Sequence, residues 1–100
     1  MKPSRPSHHV FRGKRYCIRW RPPNDPKNIG ECENPVYKKP VMIIHPALTG
    51  LERLITILDE GMHACQYDLD NDVVGVISYD LGTLLWECGL RFRDEMSDKP

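Results

Sequence analysis

The run D-E-G-M-H, from Asp59 to His63, places two carboxylates and an imidazole close together in the sequence. Side chains four positions apart in a helix lie on the same face one turn apart, so Asp59 and His63 could share one metal ion. Glu60 lies between them and could act as a base toward a water bound to that metal. The spacing therefore indicates metal-dependent hydrolysis as the chemistry to test.

The run differs at one position from H-E-x-x-H, the helical zinc motif in which two histidines bind the metal and the glutamate is the base. Glu60 and His63 match the motif, whereas Asp59 stands at the first ligand. A carboxylate can bind zinc, but aspartate reaches less far than histidine and its charge weakens the metal as a Lewis acid. The alternative is an ordinary helix surface on which Asp59 and His63 form an ion pair.

Composition excludes several broad classes of protein. The 100 residues carry 14 basic and 14 acidic side chains, so no net field draws the chain to nucleic acid or to an anionic membrane. No apolar run approaches the roughly 20 residues that a membrane-spanning helix needs, and the N-terminus lacks the apolar stretch of a signal peptide. We therefore expect a soluble cytoplasmic protein with one domain and four reduced, buried cysteines.

The elements that must position Asp59 and His63 begin after Pro46, where the sequence takes on helical periodicity. Apolar residues recur at spacings of three and four, which predicts a helix from Thr49 to Gln66 with one stripe facing the core. That stripe consists of Leu51, Leu54, Ile55, Leu58, Met62 and Cys65. Asp59 and His63 fall beside the stripe, with Glu60 a little further round the helix.

A second helix is predicted after the acidic link D-L-D-N-D. Asp70, Asn71 or Asp72 could be its N-cap, and Gly89 should end it. Gly75 and Gly82 weaken a helix, so we expect them where the two helices pack closely. The apolar stripe expected to face the core consists of Val73, Ile77, Leu81, Leu84, Leu85 and Cys88.

The first 40 residues contain most of the nine prolines and are predicted to be largely irregular. Two stretches within or just after them favour strands: Lys14 to Trp20, which alternates basic and apolar residues, and Val41 to His45. Residues 24–40 between them are rich in turn formers and are predicted to be a surface loop. The expected fold is therefore α+β, with a small antiparallel strand pair packed on two helices.

The order of these motifs resembles that of the minigluzincin-like zinc metallopeptidases, a family of short bacterial and phage proteins. The residues that carry the resemblance are R-G-K-R-Y at 12–16, G-E-C-E-N-P at 30–35, D-E-G-M-H-A-C at 59–65 and L-W-E-C-G at 85–89. The likeness covers about residues 12–92, which we take as the domain. Residues 1–11 are then a basic N-terminal arm, and residues 93–100 are a C-terminal tail.

The resemblance implies a zinc site in which Glu60 is the catalytic base. Asp59 and His63 would be the helix ligands, and Asn71 stands where the family has its third, acidic ligand, so that Asp72 beside it would complete the set. Two departures in three ligand positions favour a protein that keeps the fold with a lost or weakened zinc site. In that case we expect no cofactor. Zinc should change the melting temperature little, and Glu60→Gln should melt close to the parent protein.

The resemblance also implies a role. The favoured function is that of a metallopeptidase-like protein of phage type, located in the host cytoplasm or the virion. It would act as a structural or protein-binding component with viral structural proteins as partners. It would bind neither nucleic acid nor a membrane. The alternative is a small active zinc peptidase that uses Asp59, His63 and an acidic residue at 70–72, with Glu60 as general base. In either case Asp59, His63 and the link at 70–72 should lie close together.

Overall fold

The computed structural model describes residues 5–96, which form an α+β fold with a mixed four-stranded sheet and two helices. The strands are β1 (His8–Phe11), β2 (Lys14–Trp20), β3 (Gly30–Cys32) and β4 (Val41–Ile44). The helices are α1 (Gly50–Cys65) and α2 (Asn71–Glu87), followed by a short 3-10 helix (Arg93–Glu95). Neither α1 nor α2 has the length and apolar character that a bilayer crossing requires.

The strands are arranged in the order β1-β2-β4-β3. β1 and β2 form a hairpin whose turn residues, Arg12 and Gly13, both have positive φ angles of 48° and 80°. The two strands predicted from the sequence are β2 and β4, and they pair with each other, but in parallel. The predicted antiparallel direction is wrong because the connection between them is long enough for the chain to cross over before it returns.

Two strands lie where none was predicted. β1 falls in the predicted N-terminal arm, and β3 falls in the predicted loop at 24–40. Neither segment has a clear alternating pattern: β1 is exposed along most of its length, and β3 has only three residues. Both are edge strands, which are specified by their pairing with β2 and β4 more than by their own composition.

Residues 93–96 of the predicted C-terminal tail also pack on the domain, while residues 97–100 of that tail lie outside the described residues. Asp94 and Glu95 of the 3-10 helix form ion pairs with Arg53 of α1, at 2.7 Å and 3.0 Å from its Nη1 atom. The last residues described, up to Met96, therefore belong to the folded unit. No local sequence pattern indicates this contact, because it joins residues about 40 positions apart.

Both predicted helices are confirmed close to their predicted ends. Asp70 is the N-cap of α2, since its carboxylate accepts hydrogen bonds from the backbone N–H groups of Asp72 (2.8 Å) and Val73 (3.3 Å). Gly89 follows the helix with a φ of 100°, a left-handed conformation that glycine adopts without strain. These boundaries depend on residues within one turn, which is why the sequence predicted them.

The faces that the helices bury differ from the prediction. α1 lies between the sheet and α2, and its buried residues are Arg53, Leu54, Thr56, Glu60 and Ala64. α2 packs on α1 through Val74, Ser78 and Gly82, while the predicted core stripe of α2 remains exposed. Cys65 and Cys88, predicted to be buried, are exposed. Val74, Ser78 and Gly82 have shorter side chains than leucine, so α2 approaches α1 most closely through this face. Among residues 5–96 no further layer covers the opposite side of α2.

The two helical glycines of α2 offer a matched test of this packing. A Cβ atom at Gly82 would lie 2.8 Å from Cγ1 of Ile55, whereas a Cβ at Gly75 would meet nothing within 4 Å. We expect Gly75→Ala to raise the free energy of unfolding by about 1 kcal/mol through helix propensity. Gly82→Ala should lower it by about 1 kcal/mol, because overpacking outweighs the same gain. Urea unfolding measures both, and changes of the same sign would contradict this helix contact.

Candidate functional site

A cleft of about 610 Å³ lies between β3, α1 and the first half of α2. Residues 27–32 line one side, α1 contributes a row of polar side chains, and α2 lines the other side. An adjoining pocket of about 460 Å³ extends toward residues 67–71. The residues common to both spaces are Cys32, Glu60, His63 and Asn71.

The cleft brings together most of the residues that the sequence singled out. Asp59, Glu60, His63 and Asn71 line it, and Asp70 lines the adjoining pocket. The expected proximity of the 70–72 link to the helix motif is therefore confirmed for two of its three residues. Asp72 is different: it does not line the cleft but an adjoining depression on α2, which shares Asn71, Gly75 and Tyr79 with the cleft.

Glu60 is buried against the edge of the sheet, with 8% of its surface exposed. A Cβ atom at Gly30 would lie 2.8 Å from Oε2 of Glu60, so β3 approaches this side chain closely because residue 30 is a glycine. Burial, followed by the charges of Asp59 and Glu31, raises the pKa of Glu60 to about 7. Near neutral pH this carboxyl group can therefore both release and accept a proton.

Asp59 is half-buried beside Glu60, and its Oδ1 atom is enclosed without a hydrogen-bond partner among residues 5–96. Burial raises the pKa of Asp59, an effect that His63 partly offsets. The Ser78 hydroxyl nearby donates to Gly75 O at 3.2 Å. An enclosed carboxylate oxygen without a donor is costly, because it has lost water and gained nothing in exchange. A ligand could relieve this cost by donating a hydrogen bond to Asp59 if the side chain turned Oδ1 toward the cleft, because this atom is enclosed in the conformation described.

The residues present do not fit a three-ligand zinc site. The Asp70 carboxylate is occupied in capping α2, and Asp72 lies outside the cleft. In the described part of the chain no three His, Cys, Asp or Glu side chains are grouped so as to hold a metal ion. The set of Asp59, His63 and Asp72 stays a prediction from the motif, and this geometry does not support it.

Sequence reasoning did not identify the residues that β3 contributes to the cleft. Cys32 lies in the cleft with His63, an arrangement that raises the question of a thiol nucleophile. Burial raises the pKa of Cys32 to about 12, although a hydrogen bond with Tyr16 acts against it, so the thiol stays protonated. Because the thiolate is the reactive form, Cys32 is not activated for catalysis. Only the pairing of β3 with β4 brings this residue to the site.

The backbone of β3 offers a free edge beside the cleft. Within residues 5–96, β3 is the last strand of the sheet and pairs only with β4. The hydrogen bonds from His45 N to Ile29 O and from Glu33 N to Val41 O show that odd-numbered residues of this segment bond to β4. The N–H and C=O groups of Gly30 and Cys32 therefore point away from β4, where an added strand could pair with them.

Comparison with protein-family models, with curated proteins and with solved structures finds no match to this chain. The minigluzincin-like family therefore stays a prediction from the motifs at 12–16, 30–35, 59–65 and 85–89.

Proposed function

We propose that this protein is a peptide-binding module of metallopeptidase-like type whose zinc site has been lost or weakened. An extended segment of a partner protein adds to the edge of β3, and one of its side chains enters the cleft. The motif resemblance also implies a phage protein with viral structural proteins as partners. This part of the proposal rests on the resemblance alone.

The observation that carries the proposal is the enclosed Oδ1 atom of Asp59 beside an unpaired strand edge. Adding a strand to an exposed edge is a common way to bind a peptide: main-chain hydrogen bonds supply affinity and pockets for alternate side chains supply specificity. Here the outward groups of Gly30 and Cys32 would supply the main-chain bonds, and the cleft would be the side-chain pocket.

The cleft favours a peptide side chain that donates hydrogen bonds, such as lysine, arginine or an amide. Of its three carboxylates, Glu31 is already occupied by the backbone N–H groups of Asn24 (3.2 Å) and Asp25 (3.1 Å). Asp59 and Glu60 remain, and both are partly or largely removed from water. A donor placed between them would satisfy Asp59 and lower the repulsion between the two acids.

The experiment begins with selection of binding peptides from a random library and mapping of amide chemical shifts on the full chain. We expect the largest shifts at Gly30 and Cys32 and in the cleft. N-methylation of successive peptide residues should then weaken binding at every second position, since only alternate N–H groups of an added strand face β3. Uniform sensitivity, or shifts confined to another surface, would overturn the proposal.

Side-chain recognition is tested with two variants of α1. Asp59→Asn should weaken binding of a peptide with lysine or arginine at the cleft position by about tenfold, as expected for loss of a charge-assisted hydrogen bond. Glu52→Gln, at an exposed position of the same helix, is the matched control and should leave affinity unchanged. Equal affinities for the two variants would remove Asp59 from the binding site.

Zinc separates this proposal from the alternative of an active peptidase. With a lost or weakened site, melting curves in micromolar zinc and in chelator should nearly coincide, because a ligand near its dissociation constant adds only about 0.4 kcal/mol to folding. A rise of many degrees that both Asp59→Ala and His63→Ala cancel would instead establish Asp59 as a ligand. The peptidase function with Glu60 as base would then replace the proposal.

A further inference from the structure

The outer side of α2 exposes an apolar stripe that the fold itself does not use. Five residues of this outer stripe are each between 37% and 54% exposed. They are Val73, Ile77, Leu81, Leu84 and Leu85. They recur at helical spacing, so they form one continuous surface along the length of the helix. Contiguous apolar patches of this kind on a small protein mark interaction sites.

The outer stripe adjoins the contact with α1 along its Leu81 and Leu85 side and lies apart from the cleft-lining surface of α2. The contact with α1 uses Val74, Ser78 and Gly82, and the cleft is lined by Asn71, Gly75 and Tyr79. At 100° per residue, the centre of the stripe is turned roughly 150° from the cleft-lining side of the helix. A partner on the stripe would therefore leave the cleft open.

The charges that border the outer stripe have one sign. Asp72, Asp80 and Glu87 form an acidic rim along one flank, and α2 contains no lysine or arginine. None of these three carboxylates forms an ion pair within residues 5–96. The surface thus combines an apolar stripe with uncompensated negative charge.

We propose that the outer stripe and acidic rim of α2 bind an amphipathic helix of a partner protein, with lysine or arginine flanking its own apolar stripe. A helix laid along α2 buries the five apolar side chains, and its basic flank pairs with Asp72, Asp80 and Glu87. A second copy of this chain fits less well. Its α2 offers no basic side chain, and an antiparallel pairing of the two stripes sets one acidic rim against the other.

The test uses designed peptides of about 18 residues, which match the length of α2. One peptide has leucines at helical spacing with lysine on the flanks, the second replaces every lysine with glutamate, and the third is a scrambled form of the first. We expect fluorescence anisotropy to show that the full chain binds the first at least about tenfold more tightly than either control. Amide shifts should map to α2.

Charge reversal and stripe variants make the result specific. The double variant Asp80→Lys/Glu87→Lys should reverse the preference between the lysine and glutamate peptides. Leu84→Asp should abolish binding, whereas Val36→Asp, at a 77% exposed apolar site outside α2, should leave it intact. Failure of the preference to reverse, or equal binding of the scrambled peptide, would overturn the proposal. So would a protein dimer that Leu84→Asp dissociates, because the stripe would then be occupied by a second copy.

Discussion

Replacing Glu60 with glutamine is expected to raise the free energy of unfolding by about 3 kcal/mol at about pH 8 and to change it little at about pH 4. The pKa of this carboxyl is raised from its ordinary value of 4.5 to about 7, first by burial and then by Asp59 and Glu31. Glutamine fills nearly the same volume with a neutral side chain, so it avoids the cost of ionising a buried acid.

The pH window follows from the direction of the shift. In the unfolded chain Glu60 loses its proton near pH 4.5, whereas in the folded protein it keeps that proton until about pH 7. Between these values the folded state holds more protons, so this group lowers stability as the pH rises, and the full loss is present above pH 7. The glutamine variant has no proton to lose at this position and should lack this part of the pH dependence.

Urea unfolding of the two proteins across this pH range measures the effect. Glu52→Gln is the matched control, because Glu52 lies on the same helix in an exposed position and should leave the pH profile of stability nearly unchanged. Parallel profiles for Glu60→Gln and the parent would mean that Glu60 is not buried as described. The sequence predicted that Glu60→Gln melts close to the parent protein. With Glu60 buried, we now expect this only at acid pH.

Arg53→Ala is expected to lower the free energy of unfolding by about 3 kcal/mol, because it removes a buried side chain together with its hydrogen bonds to the partly exposed carboxylates of Asp94 and Glu95. Arg53 is only 1% exposed. Its guanidinium donates to Asp94 at 2.7 Å and 3.2 Å and to Glu95 at 3.0 Å, and it lies 4.0 Å from the centre of the Phe92 ring. The arginine therefore fixes residues 92–95 to α1.

Hydrogen exchange together with urea unfolding checks this prediction. The variant should lose amide protection first in residues 92–96, while the sheet keeps its protection until global unfolding. Arg19→Ala, at an exposed position on β2, is the control and should change stability by no more than about 0.5 kcal/mol. A C-terminal segment that stays protected without Arg53 would show that other contacts hold it.

The sequence by itself determined the features that depend on neighbours within a turn or two. Helical spacing of apolar residues placed α1 and α2, the run from Asp70 to Asp72 marked the start of α2 without deciding which residue is the N-cap, and Gly89 marked its end. The i, i+4 spacing likewise placed Asp59 and His63 on one side of α1. These features could be predicted because their main energies are local.

Only the tertiary structure decided how these elements meet. The parallel pairing of β2 with β4 and the presence of β3 depend on contacts across long connections, which no local pattern encodes. The sequence likewise identified the apolar stripe of α2, but the prediction that this stripe faces the core was wrong. Small residues at 74, 78 and 82 allow a closer approach to α1 than leucines would, so the stripe remained outside. Glu60 acquired its raised pKa for the same kind of reason: a glycine on a distant strand lets the backbone close over it.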